Sequence, residues 1–207
     1  MNGRLSRAST GRAPLLVIAT ICLLAAWVAP PALAGSPVTG GAITLLTDPP
    51  QSEALFVGGV APFFVAPATL HLTGDAWRFT FPIAGGSLSA TSGAGRVRSR
   101  GGLVFWGRET MSSWTELSFT KPVVTTGAHA VLSGVYGPQG TRHVLATLDM
   151  SHVAVSRSHS GGHDWVRVGN VPARMSTWLR NQMTSVFPRY QPSADRLGTV
   201  TVKARLK

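Results

Sequence analysis

The heptapeptide WRFTFPI, residues 77–83, is the strongest indication of the fold class. Large apolar side chains occupy every second position, and smaller or polar ones lie between them. The apolar set is Trp77, Phe79, Phe81 and Ile83, and the intervening set is Arg78, Thr80 and Pro82. A period of two places alternate side chains on opposite faces of a β-strand. The segment therefore predicts a strand with one buried aromatic face and one solvated face.

Short apolar segments like this one recur along the chain with turn residues between them. Such spacing is typical of β-sandwiches and barrels. The predicted strands cover residues 42–47, 55–57, 63–72, 77–83, 95–100, 103–106, 113–120, 128–135, 142–150, 152–155, 165–168 and 198–206. Pro67 interrupts one of them, which predicts an edge strand or two separate pieces there. The Gly-Gly pairs at residues 85–86 and 101–102 predict turns.

Only residues 173–187 predict a helix. Their apolar side chains recur at helical spacing, and Pro188 ends the pattern. The predicted architecture is therefore all-β, an immunoglobulin-like β-sandwich with one short helix in the C-terminal region. Residues 35–207 form the single predicted domain, and five tryptophans are expected in its core: Trp77, Trp106, Trp114, Trp165 and Trp178.

Residues 1–34 have the parts of a secretory signal peptide in the usual order. Arg4, Arg7 and Arg12 precede an apolar run of 15 residues, and Ala32 and Ala34 follow it. We expect cleavage after Ala34. The alternative is an uncleaved membrane anchor, which normally needs about 20 apolar residues. The predicted product is secreted, either free or held non-covalently at the cell envelope, with no membrane anchor after cleavage.

The charge balance favours an anionic partner. The chain has 19 Lys and Arg against 8 Asp and Glu, a formal net charge of +11. Arg96, Arg98 and Arg100 alternate along one predicted strand, so we expect them to form an anion-binding patch on one face. An anionic cell-wall polymer is the predicted macromolecular partner, and nucleic acid is not expected.

Enzymatic motifs are missing from the sequence. It contains no G-x-S-x-G, no H-E-x-x-H and no phosphate-binding glycine loop, so a non-enzymatic protein is predicted. The alternative is a metal-binding protein or an enzyme that uses His159, His163 and Asp164, because imidazole suits zinc and copper. A structural zinc site normally needs four ligands. Cys22, the only cysteine, lies in the predicted signal peptide.

Two tyrosines and one histidine are the candidate ligands for haem. A phenolate binds ferric haem iron in some proteins, and the only tyrosines are Tyr136 and Tyr190. His143 lies in a predicted strand close to Tyr136 in sequence. Exposed tryptophan and tyrosine also stack on sugars, so carbohydrate binding stays open.

The segment FTFPIAGGSLSATSGAGRVRSRGGLVFWG, residues 79–107, resembles a pattern in secreted actinobacterial β proteins. These are related to the HtaA-type haemin-binding domain of corynebacterial haem uptake. The segments SFTKPVV, LSGVYG and VLATLDMS fit as well, and the resemblance covers roughly residues 42–206. It implies haem as a cofactor, bound in that family by a tyrosine with a supporting histidine.

The chain departs from that family at the positions of its ligands. The family tyrosine lies in an N-terminal W-G-x-K-x-S-F-type motif, whereas no tyrosine precedes Tyr136 here. The family's Gly-His-Gly-Gly stretch is replaced by Trp106-Gly107-Arg108-Glu109. Three functions therefore remain open: an envelope-associated structural, adhesive or HtaA-like ligand-binding module, a haem uptake protein, and the metal-binding alternative.

Overall fold

The computed structural model describes residues 35–108, 113–137, 140–192 and 195–207. Within these ranges the chain forms twelve strands and two helices. The strands are β1 (Ser36–Thr47), β2 (Val60–Val65), β3 (Thr69–Thr73), β4 (Ala76–Leu88), β5 (Gly95–Ser99), β6 (Gly102–Arg108), β7 (Trp114–Thr126), β8 (Val131–Tyr136), β9 (Thr141–Leu148), β10 (Ala154–Ser160), β11 (His163–Met175) and β12 (Arg196–Leu206). The helices are α1 (Pro49–Val57) and α2 (Thr177–Val186). The predicted signal peptide and Glu109 lie outside the described residues.

Eight strands of the described chain close into an antiparallel barrel. Their order is β7–β5–β4–β1–β12–β11–β9–β8, and β8 pairs back with β7. The all-β prediction is confirmed, but the immunoglobulin-like sandwich is wrong. The pairing of Phe119 with Tyr136 and of Val124 with Leu132 joins the two ends of the sheet, so one rolled sheet replaces two facing sheets.

The four remaining strands of the described residues lie outside the closed barrel and pair beside its long strands β4, β7 and β11. Strand β7 pairs with β5 along Val123–Thr126 and with β6 along Trp114–Thr120, on the same edge. Strand β2 pairs with β6 in turn. Strand β3 lies beside β4, and β10 lies beside β11. Pro67 separates β2 from β3, so the prediction of two pieces is confirmed.

The barrel interior is densely packed. The alternation predicted for residues 77–83 holds, because Phe79 and Phe81 are fully buried while Arg78 is exposed. Leu132, Leu145 and other apolar side chains surround a remaining cavity of about 10 Å³. That volume is close to the least space one water molecule needs. This cavity therefore has no room for an organic ligand.

Helix α1 corrects the prediction of a strand at residues 55–57. Pro49 and Pro50 fill the first helical positions, where a missing backbone N–H costs nothing. The short apolar run that follows is too brief to distinguish a strand from a helix by its period. The chain thus has two helices in its described part, rather than the one predicted. Neither of them has the length or the hydropathy needed to cross a lipid bilayer.

Two of the tryptophans expected in the core lie on the surface. Trp106 is 39% exposed and Trp114 is 49% exposed, and their rings stack on each other with centroids 4.2 Å apart. Both side chains belong to the outward face of the β6–β7 pair. The sequence pattern indicates alternation along these strands, but it does not indicate which of the two faces is buried.

Candidate functional site

Four aromatic side chains meet where α2 packs across strands β7, β8 and β9. Phe119, Tyr136, His143 and Trp178 form this cluster, which we call the aromatic rim. The rings of His143 and Trp178 stack with centroids 3.9 Å apart, and the ring of Tyr136 lies edge-on to both, at 6.2 Å and 5.4 Å. Phe119 packs beneath Tyr136 at 5.7 Å. The structure therefore brings together two of the three predicted haem ligands.

The position of Trp178 depends on how α2 begins. The Ser176 hydroxyl accepts a hydrogen bond from the Leu179 backbone N–H at 3.1 Å, which caps the helix. The same hydroxyl donates to the Val144 carbonyl at 2.6 Å. This second bond joins the start of α2 to β9, one residue beyond His143. One serine thus fixes the helix terminus and sets Trp178 against the imidazole.

The polar atoms of the aromatic rim are available to a ligand. Tyr136 and His143 are both half-buried. Within the described residues, neither the Tyr136 hydroxyl nor the His143 ring nitrogens have a hydrogen-bond partner. A phenol and an imidazole that lie side by side without internal partners are suited to binding iron or to hydrogen-bonding with a ligand.

Tyr190 occupies a different environment from Tyr136. It is 1% exposed and lies among core residues, where the Gln51 side-chain amide donates a hydrogen bond to its hydroxyl. Burial raises the pKa of the Tyr190 phenol, against smaller opposing effects of Gln51 and Arg180. A buried, hydrogen-bonded phenol cannot contact a ligand at the surface, so Tyr190 takes no part in the aromatic rim.

The raised pKa of Tyr190 predicts a loss of stability at alkaline pH. The unfolded chain ionises this tyrosine near pH 10, whereas the folded chain ionises it only above that value. The stabilising contribution is complete below about pH 10 and is lost as the pH rises through the folded pKa. We expect the free energy of unfolding to fall less steeply for Tyr190→Phe than for the parent between about pH 9 and about pH 11. Denaturant titrations across this range measure it, and parallel curves would contradict the assignment.

The predicted metal ligands lie on the β10–β11 hairpin. His159 and Asp164 face each other across the two strands, with the imidazole Nδ1 2.8 Å from a carboxylate oxygen. His163 pairs with Ser160, one position nearer the turn. In residues 35–108, 113–137, 140–192 and 195–207, no three His, Cys, Asp or Glu side chains are grouped so as to hold a metal ion. The hairpin therefore presents an exposed hydrogen-bonded pair of His159 and Asp164.

The predicted arginine patch lies on the outer surface of the barrel. Arg96 and Arg98 are exposed on alternate positions of β5, and Arg100 is exposed just after the strand ends. Arg142 of β9 lies near them and donates hydrogen bonds to the Ser133 hydroxyl and the Lys121 carbonyl. Partial burial, and then the charge of Arg96, lower the pKa of Arg142. An anion-binding role for this patch stays a prediction.

A wide cleft lies between α1 and the β3–β4 hairpin. It has a volume of about 720 Å³ and an apolar wall that includes Phe56, Leu72 and Trp77. Glu53 and Asp75 add two carboxylates. Its lining, taken from the described residues, includes no Tyr, His, Cys or Met side chain. The cleft thus has the size of a ligand site but provides no usual protein ligand for haem iron.

These features define an all-β barrel with a packed interior and with candidate ligand sites on its surface. The fold is similar to that of the C-terminal domain of HtaA from Corynebacterium glutamicum, with a TM-score of 0.53 and 13% identity over 83% of this chain and 99% of that one. The haem-binding protein HtaB of the same organism has a TM-score of 0.49 and 13% identity over 83% of this chain and 95% of its own. No protein-family model and no curated protein sequence matches the chain. The resemblance to the HtaA-type domain is confirmed as a likeness of fold.

Proposed function

We propose that the protein is a non-enzymatic haem-binding domain and that the aromatic rim is its haem site. The observation that carries this proposal is the meeting of Tyr136 and His143 at an accessible rim, with no internal partner in the described chain for their polar atoms. In this proposal Tyr136 provides a phenolate to ferric iron, and His143 hydrogen-bonds to that ligand. The resemblance to the HtaA-type domain supports haem as the ligand, while Tyr136 and His143 occupy positions that differ from those of the family's ligand motifs.

The surroundings of the rim suit the other parts of a haem molecule. Trp178, which is half-buried, provides aromatic surface beside the two polar groups, and the fully buried Phe119 packs beneath it. Arg142 precedes His143 in β9 and adds one cationic side chain at this end of the barrel. A cationic side chain favours the carboxylates that haem carries. The wide α1 cleft lacks an iron ligand and contributes carboxylates, which makes it the poorer candidate.

A haemin titration of the purified protein tests the proposal. We expect a saturable Soret shift at one equivalent in the parent protein. Tyr136→Phe removes the iron ligand but keeps the ring packing, so we expect affinity to fall by more than about 100-fold. His143→Ala removes the supporting group together with its stack on Trp178 but leaves the iron ligand, and we expect a loss of about 10-fold.

His129→Ala is the matched control for these variants. His129 is an exposed histidine in the β7–β8 turn, away from the aromatic rim. We expect this variant to bind haemin as the parent does. Absence of a saturable Soret shift in the parent, or an unchanged titration for Tyr136→Phe, would contradict the proposal. Circular dichroism of each variant establishes that a loss of binding is not a loss of fold.

We further propose that the protein acts outside the cell. The support is the basic, apolar and small-residue order of residues 1–34. Location at the envelope or free in the medium is the natural setting for a protein that captures haem. Sequencing the N-terminus of the protein recovered from the culture medium tests cleavage after Ala34.

A further inference from the structure

A row of threonines crosses the outer face of the barrel. Thr80 of β4 pairs with Thr44 of β1, and Thr44 pairs with Thr201 of β12. Thr199 lies two residues from Thr201 on the same face, opposite Leu46. Side chains that pair directly across an antiparallel sheet share one face, so this surface carries four hydroxyl groups side by side. They line a groove of about 320 Å³, which we call the threonine groove.

The hydroxyls of the threonine groove are only partly satisfied by the protein. Thr201 accepts a hydrogen bond from the Asn170 backbone N–H at 3.1 Å and donates to its side-chain oxygen at 3.4 Å. Asn170 has a left-handed backbone, with φ of 53°, at the bulge of β11. Among the described residues, the hydroxyls of Thr44, Thr80 and Thr199 have no side-chain hydrogen-bond partner. These three groups can both donate to and accept from a ligand.

The charge along the threonine groove is entirely positive. Arg78 and Arg167 line it, and neither has a carboxylate within 4 Å in the part of the chain that the structure describes. Lys203 of β12 is the cross-strand partner of Arg167 in β11. Its ammonium nitrogen lies over the Trp165 ring, 5.1 Å from the ring centroid. Two guanidinium groups without a protein counter-ion favour an acidic ligand, which they can bind in bidentate fashion.

We propose that the threonine groove binds an anionic glycan, that is, a hydroxyl-rich chain that carries acidic groups. Neighbouring strands are about 4.8 Å apart, so a ligand lying across them meets a threonine hydroxyl at each strand. The arginines then pair with its acidic groups while the threonines exchange hydrogen bonds with its hydroxyls. The described lining of the groove holds no aromatic ring on which a base could stack, which disfavours single-stranded nucleic acid. This site uses β1, β4, β11 and β12, so it does not depend on the haem proposal.

Calorimetric titration with an oligogalacturonate at fixed ionic strength tests this site. We expect the parent protein to bind it and the double variant Arg78→Gln/Arg167→Gln to bind at least about tenfold more weakly. The double variant Thr44→Val/Thr80→Val keeps the charge and the side-chain shape but removes two hydroxyls. We expect this variant to bind several-fold more weakly. The loss is smaller than for the arginine variant, because the hydrogen bonds it loses come from uncharged hydroxyl groups.

A charge-matched control separates a defined site from general attraction to a basic protein. Arg174→Gln/Arg189→Gln also removes two charges, at exposed positions outside the groove, and we expect its affinity to match that of the parent. A neutral maltooligosaccharide and inorganic polyphosphate should both bind more weakly than the acidic glycan. No binding of the oligogalacturonate, an equal loss in both arginine variants, polyphosphate binding as tight as the glycan, or an unchanged affinity of the threonine variant would each overturn the proposal. Haemin binding should be the same in all these variants.

Discussion

Replacement of Gly198 by alanine is expected to abolish stable folding or to lower the free energy of unfolding by more than about 4 kcal/mol. Gly198 lies in β12 between Thr47 of β1 and Ala173 of β11, with φ of +149°. An added Cβ would overlap the carbonyl oxygen of Leu46 and come within 2.8 Å of the Thr47 Cα. Backbone atoms of a paired strand cannot move aside without separating β1 from β12.

Gly161→Ala is the control for this substitution. Gly161 also has a positive φ, of +59°, but a Cβ there would meet nothing within 4 Å. We expect it to lose only about 1–2 kcal/mol, the cost of the left-handed conformation alone. Equilibrium denaturation of both variants measures the difference. A Gly198→Ala protein as stable as Gly161→Ala would show that β1 and β12 do not approach as closely as described.

Phe79→Ala is expected to destabilise the protein by about 3–5 kcal/mol. Phe79 is fully buried, stacks on Phe81 with centroids 6.3 Å apart and lines the small remaining cavity. Removing its ring would enlarge that cavity in a barrel whose strands are held by hydrogen bonds and cannot collapse inwards. Phe56→Ala, at a side chain 85% exposed, should change stability by less than about 0.5 kcal/mol. Similar losses for the two variants would contradict the packing of the interior.

The sequence predicts the strands better than the way in which they assemble. The alternation in residues 77–83 depends only on a local period, and the structure confirms it. Gly85 and Gly86 illustrate the opposite case, because a Gly-Gly pair predicts a turn but here continues β4. A Cβ at Gly86 would overlap the Arg96 carbonyl oxygen of β5, so this glycine allows close strand pairing. Closure of the barrel by β7 and β8 likewise depends on register between segments, which a local pattern does not contain.

The candidate sites also differ in how far the sequence predicts them. Tyr136 and His143 are found from their chemistry, and the short β8–β9 hairpin brings them near each other. Trp178 is predicted only as a core residue, because the docking of α2 decides that it covers His143. The threonine groove is not foreseen at all. Thr44, Thr80 and Thr201 are separated by long stretches of sequence, and only the register of β4, β1 and β12 places them in one row.

The central place of β12 has a consequence for the order of events during synthesis. Of the twelve strands in the described residues, the last in chain order, β12, is the one that lies between β1 and β11. Until residues 196–206 have emerged, β1 can pair only with β4, and the ring stays open. Non-local pairing of this kind forms slowly. A growing chain therefore cannot close its barrel before β12 has been synthesised.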